Sequence, residues 1–426
     1  MRGLVFAHRS TAVALMALAS GLVAAGCSSS SSGSSGGPCS DVKVDRFKEL
    51  TIVDDGVVED ARSNNASDGA WSFRYVVENM TPAGTDPGDF VVNWFDSWWA
   101  TQQINNYPVN EPDTARNQMH AQILCPWAER TASNGCTAIC QDQIDAKWES
   151  SCTTNPPKFD LAQAPFKLIA IVNRMDLRGQ PQISTFGEAR LVFGLTSGAA
   201  DDPASSMMPM TLIFEFDLPT NMGSAEDWAK RWHALGSIPS YDETFRSSLQ
   251  QITDTFVKGR NPNGQNGSWL GQARTNESVT NWVWQLREFT LGPDGQMHNH
   301  TVRNTPAQSL NSSPALAQFI NDNAEAFAKN QILIPDNMLA GSANQLEYTW
   351  GFPGMSQATL NAFSLSTCNG CHSMRQPSVS VDTVFHISPF QHGIARVSVF
   401  LNNPQDQAHD ELANRTANLQ AALCGQ

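Results

Sequence analysis

Two thiols and an imidazole stand within five residues, Cys368-Asn369-Gly370-Cys371-His372. The spacing C-x-x-C-H lets both sulfurs reach one porphyrin and form thioethers with its vinyl groups. His372, next in the chain, then lies where it becomes the proximal ligand of a haem c iron. The same atoms have two other uses. Cys368, Cys371 and His372 can hold zinc with a further His, or the two thiols can close as a disulfide that braces the segment. A haem also asks for a sixth ligand. Met374 is too close to reach the opposite face, and no Met follows it. Downstream stand His386, His392 and His409; upstream stand Met338 and Met355. Val384-Phe385-His386-Ile387 reads as a short apolar strand presenting one imidazole, so His386 is the first choice for the distal position and Met355 the second. A second imidazole would give a lower potential than a thioether, which stabilises ferrous iron.

The motif resembles the haem-attachment site of c-type cytochromes, over these five residues alone. The resemblance implies covalent haem c and one-electron transfer to a redox partner protein. It departs from small soluble cytochromes c, which carry the motif near the start and a distal Met dozens of residues later. A peroxidase would need an open sixth position, and a single motif argues against the di-haem peroxidases. An electron carrier or binding protein is expected rather than a hydrolase.

The start of the chain fits such chemistry. Arg2 and Arg9 precede an apolar run from Ala12 to Ala25, too short to span a bilayer and ending in small residues, which reads as a secretory signal. Ala24-Ala25-Gly26-Cys27 resembles a bacterial lipobox. That resemblance implies cleavage before Cys27, lipidation of Cys27 and anchorage to a membrane of the cell envelope. Ser28 is not the Asp that retains enteric lipoproteins at the inner membrane, so by analogy the outer membrane is expected. Ser28 to Gly37 is nearly pure Ser and Gly, a flexible tether that cannot bury a core.

The nine Cys and the net charge of −14 bound the rest. With Cys27 assigned to lipid and Cys368 and Cys371 to haem, Cys39, Cys125, Cys136, Cys140, Cys152 and Cys424 remain. An even remainder in an exported chain predicts disulfides. Those from Cys125 to Cys152 are expected to pair among themselves, which leaves Cys39 for Cys424. The acidity argues against a nucleic-acid partner.

These groups need a frame to position them. Hydrophobic content of 41% and 12 Trp predict a packed body. Phe90, Val91, Trp94, Phe95 and Trp98 recur at helical spacing with an aromatic face, read as core rather than a ligand platform. Phe166 to Val172, Ala189 to Phe193 and Met210 to Phe216 read as buried strands. Ser224 with Asp227 starts one helix, and Tyr241, Phe245, Leu249, Ile252 and Phe256 mark another. Trp282 to Leu291 and Gln296 to Asn304 flank a turn at Gly292-Pro293-Asp294-Gly295. Ser313 and Pro314 open a further helix. The expected fold is α+β: a signal over 1–26, a lipid-anchored tether over 27–40, and a mainly helical Trp-rich region over 41–157. A mainly antiparallel sheet with helices follows over 158–310, then a helical and irregular haem-motif region over 311–426.

A second constellation joins two of the strands. Arg174, Asp176, Glu188 and Arg190, beside Asn173, cluster at strand ends. Charges beside buried strands are costly unless paired, so a structural Arg–carboxylate network is expected, with an acid/base pocket the sharper alternative. His298 and His300 share a strand face; a register placing Gln285 and Arg287 on that face makes them solvent-facing. The runs Asn173 to Leu177, Gly187 to Arg190 and Thr367 to Phe390 are similar to uncharacterised lipoproteins of myxobacteria and related bacteria, over most of the chain beyond its signal. That resemblance implies a shared architecture and supplies no activity. Phosphate-binding loops, dinucleotide fingerprints, H-E-x-x-H and nucleophile elbows are not found.

Overall fold

A computed structural model describes residues 42–98, 102–109, 123–131, 138–140, 148–150, 159–181, 183–259, 268–277, 285–329, 331–344, 350–369 and 411–426. Cys27, the tether, Cys39, Cys136, Cys152, Cys371, His372, His386, His392, His409, Trp282 and Trp284 lie outside them.

The frame is a nine-stranded antiparallel sheet. Its strands are β1 (Thr51–Ile52), β2 (Phe166–Arg174), β3 (Glu188–Thr196), β4 (Met207–Asp217), β5 (Leu270–Glu277), β6 (Gln285–Leu286), β7 (Glu288–Leu291), β8 (Met297–His300) and β9 (Ala343–Asn344). The order runs β1-β2-β3-β4-β5-β6-β9, with β7 pairing both β5 and β8. The α+β class is therefore as the sequence implied.

Residues alternate between the two faces of each strand. One face is apolar: Ala189, Leu191, Phe193 and Leu195 on β3 and Met210, Leu212, Phe214 and Phe216 on β4 are all fully buried. The helices that cover this face are cut out by local signals. Ser72 caps α1 (Phe73–Met80), and Asp86 followed by Pro87 starts α2 (Pro87–Asp96). Ser224 and Asp227 form a reciprocal capping box on α3 (Ala225–Gly236), and Asp242 caps α4 (Glu243–Val257). Phe73 stacks on Phe166 at 4.7 Å, and Trp94 meets Phe289 edge-on at 5.6 Å. Trp71, Trp94, Trp98 and Trp127 are all buried, so this aromatic density is core. Helix α7 (Glu411–Leu423) contributes Leu412, Leu419 and Ala422 to the same cluster.

A second apolar cluster gathers Leu316 and Ile320 of α5 (Pro314–Asp322) with Phe327, Trp350, Phe352 and Phe363, the last on α6 (Gln357–Leu365). Met355 and Met338 pack against it.

The hairpin register corrects one expectation. Glu288 faces His300 and Thr290 faces His298, so the histidines share a face with Glu288 and not with Arg287. Both histidines are exposed, as expected, and His298 pairs with Asp294 at 2.9 Å. Arg287 is instead fully buried, held by Glu277 at 2.6 Å and lying 5.0 Å from the Trp98 ring. Residue 287 falls between two strands, where the alternation slips by one.

Gly187 enters β3 with φ +103°, and a Cβ there would stand 2.5 Å from the Arg174 carbonyl oxygen. Both conditions call for glycine. Gly187→Ala is expected to lower the unfolding free energy by at least about 1–3 kcal/mol, measured by urea denaturation.

Candidate functional site

The other face of the sheet carries charge. Glu188 and Arg190 on β3 lie opposite Asp217 and Glu215 on β4; Glu215 lies opposite Gln272, and Arg274 opposite Glu288. These residues close into a ring of alternating sign. Arg190 binds Glu188 at 2.7 Å and Glu215 at 3.0 Å. Arg274 lies 3.5 Å from Glu215 and 2.7 Å from Glu288. The backbone N–H of Arg303 donates to Glu288 at 3.1 Å, and its guanidinium returns to Glu188 at 3.3 Å. Gln272 donates a further hydrogen bond to Glu215. Glu188, Glu215 and Glu288 are 3%, 1% and 1% exposed, so the carboxylates are held away from water while the arginines are half-buried.

Burial alone would raise the Glu188 carboxyl, but the guanidiniums of Arg190 and Arg303 and the hydrogen bond from Arg190 hold it down at about 2. Burial lowers the Arg274 guanidinium, and Glu215 and Glu288 more than reverse this. Next to the ring, Arg174 grips Asp176 at 2.8 Å. Burial raises Asp176, while Arg174, Arg415 of α7 and Arg190 bring it below the ordinary range. Arg174 is also the strand partner of Glu188. The four charged residues expected to cluster lie together, as the ion pairs Arg174–Asp176 and Arg190–Glu188 on neighbouring strands.

Asp217 is the exception. Its carboxylate has no hydrogen-bond or ion-pair partner among the described residues. Burial pushes it up to about 6, helped by Glu188 and Glu215 and opposed by Arg303.

Cys368 sits against this ring. Helix α6 ends at Leu365, Ser364 accepts the Thr367 N–H, and the Thr367 hydroxyl takes the Trp350 indole N–H at 3.1 Å. The Trp350–Phe363 aromatic cluster thereby fixes where the motif begins. The Cys368 N–H donates to the Thr305 hydroxyl at 3.1 Å, and its thiol points to the Arg303 carbonyl at 3.8 Å. Leu286, Val302 and Ala343 form an apolar wall beside it. Cys368 is half-buried and free, whereas Cys125 and Cys424 are disulfide-bonded. Burial raises its thiol pKa, Arg274 opposes this and Glu288 adds to it, leaving the protonated thiol at neutral pH. No family model, curated protein or solved structure matches this chain.

Glu215, Arg274, Glu288 and Arg303 complete the network, with Asp217 unpaired beside it among the described residues, and none of the five was singled out by sequence pattern. Glu215 stood in view, a lone carboxylate inside the apolar run Met210 to Phe216. Among the described residues, groups of three or more His, Cys, Asp or Glu able to hold a metal are not found.

Removing one member of a buried charge pair leaves its partners uncompensated. Arg274→Met is expected to cost about 3–5 kcal/mol in chemical denaturation. Asp217→Asn has the opposite sign. With its folded pKa raised, Asp217 favours folding below its ordinary value of 3.8 and loses that contribution as pH rises through about 6. The Asn variant should therefore exceed the wild type in stability at pH 7, by up to roughly 3 kcal/mol. The two should converge below about pH 4.

Proposed function

We propose that this chain is an envelope lipoprotein, anchored through Cys27, that carries haem c on Cys368 and Cys371 with His372 as proximal ligand. It serves one-electron exchange with a redox partner protein. One observation carries the reading: Cys368 stays a free thiol while Cys125 and Cys424 are oxidised. In an exported chain that oxidises Cys125 and Cys424, a described motif cysteine that stays reduced is available for a different bond.

The surroundings suit the group. Cys368 has an apolar wall from Leu286, Val302 and Ala343 on one side and a charge-balanced ring on the other. A macrocycle edge needs apolar contact, and a change of charge at iron needs fixed dipoles nearby that do not reorganise. When bound, the haem supplies reversible one-electron storage. The protein's part is to keep the protonated thiol in place through the Thr305 and Arg303 contacts, and to supply His372 and a distal ligand, with His386 preferred and Met355 second. The anchored chain is placed at the outer membrane.

The test is an absorption spectrum of the chain exported in a host with haem-maturation machinery. A sharp Soret band is expected. Cys368→Ala should weaken covalent retention of the chromophore, and His372→Ala should abolish the low-spin spectrum. A colourless wild-type protein would overturn the proposal; stoichiometric zinc in it would identify a metal-braced segment instead.

A further inference from the structure

Among the described residues, Asp217 faces the ring with no hydrogen-bond or ion-pair partner of its own. It lies at the end of β4, directly across from Glu188 on β3. Glu215, two residues earlier on its own strand, points to the same face. From β5 the neighbour is Gly271, where a Cβ would stand 3.2 Å from both Asp217 oxygens, so no side chain reaches it. From the segment after β8 the facing group is Arg303, whose guanidinium is already engaged by Glu188 at 3.3 Å. The ring's three arginines offset its three glutamates. A proton on or off Asp217 therefore changes the charge of the cluster by one.

The cluster touches the motif through Arg303. Its side chain binds Glu188, the strand partner of Asp217, and its carbonyl oxygen lies 3.8 Å from the Cys368 sulfur. A charge in such a half-buried cluster is screened less than one in water. We propose that Asp217 is a redox-linked proton site: its ionisation state sets the reduction potential of the group held at Cys368. The inference rests on the haem reading above. Reduction by an external one-electron donor delivers one electron to the site, and Asp217 takes up one proton from solvent in response. Charge in the cluster is thereby balanced and no covalent bond changes. An ionised Asp217 favours the oxidised state; a protonated one favours the reduced state. The folded pKa of about 6 puts the change inside the range a cell envelope meets.

The experiment is a spectroelectrochemical titration of the haem-loaded full chain from pH 5 to 8, for the wild type, Asp217→Asn and Asp217→Ser. At a fixed applied potential, the oxidised-to-reduced ratio of the wild type should rise on the order of tenfold as pH passes through about 6. The ratio should stay flat in either variant. A second readout needs no haem: the Asp217 carboxyl carbon, followed by NMR in the apo chain, should titrate near 6. A flat wild-type ratio, or a variant that keeps the pH dependence, overturns the inference and leaves the haem reading standing. An Asp217 midpoint near its ordinary 3.8 also overturns it. A chain that binds no haem overturns both, and is recognised by the missing Soret band.

Discussion

Three buried glutamates answered by three half-buried arginines on one face of an antiparallel sheet are the constraint around which the described structure is arranged. Isolated, each charge would be expensive to remove from water. Joined in a ring of alternating sign, each carboxylate is answered by guanidinium or backbone N–H donors. The ring works only if β3, β4, β5 and β7 keep their register, because a slip of one residue would turn every charge into the aromatic core. It also demands that Arg303, on the segment following β8, come back across the sheet to Glu188 and Glu288. That return places the Arg303 carbonyl and the Thr305 hydroxyl where Cys368 meets them. The position of the motif cysteine is thus a consequence of the charge ring on one side and the Trp350–Phe363 aromatic cluster on the other.

Opposite signs of perturbation follow from one geometry. Glu188 has two arginines and stays ionised; Asp217, across the rung, has a glycine and two carboxylates and resists ionisation. The contrast is a matter of partner count more than of burial. It makes the cluster neutral or singly negative depending on one proton.

Much of the frame was legible in the sequence, and for identifiable reasons. Apolar runs gave β2, β3 and β4, and Ser224, Ser313 and Pro314 marked helix starts because capping is a local interaction. Arg174, Asp176, Glu188 and Arg190 stood out as charges at strand ends. The remaining ring members did not, because pairing across a sheet joins residues as distant as Glu188 and Arg303, and no local pattern encodes that. Alternation was hidden too: both faces of the sheet are buried, so β4 reads as an apolar run with one stray Glu215. The hairpin failed at Arg287, where an interruption between β6 and β7 turned an expected solvent-facing side chain into a fully buried one paired with Glu277. Spacing alone drew attention to Cys368 in the sequence, but its surroundings, supplied by Leu286, Val302, Thr305 and Ala343, come from tertiary structure.

The central claim is that Cys368 is kept reduced in order to carry a group covalently. The most direct test is the intact mass of the exported chain under denaturing, non-reducing conditions, followed by mapping of the peptide that contains Cys368 and Cys371. A mass increment of one haem that survives denaturation and localises to that peptide is the predicted result. A bare peptide mass, or one short by the two hydrogens of a Cys368–Cys371 disulfide, would contradict the account.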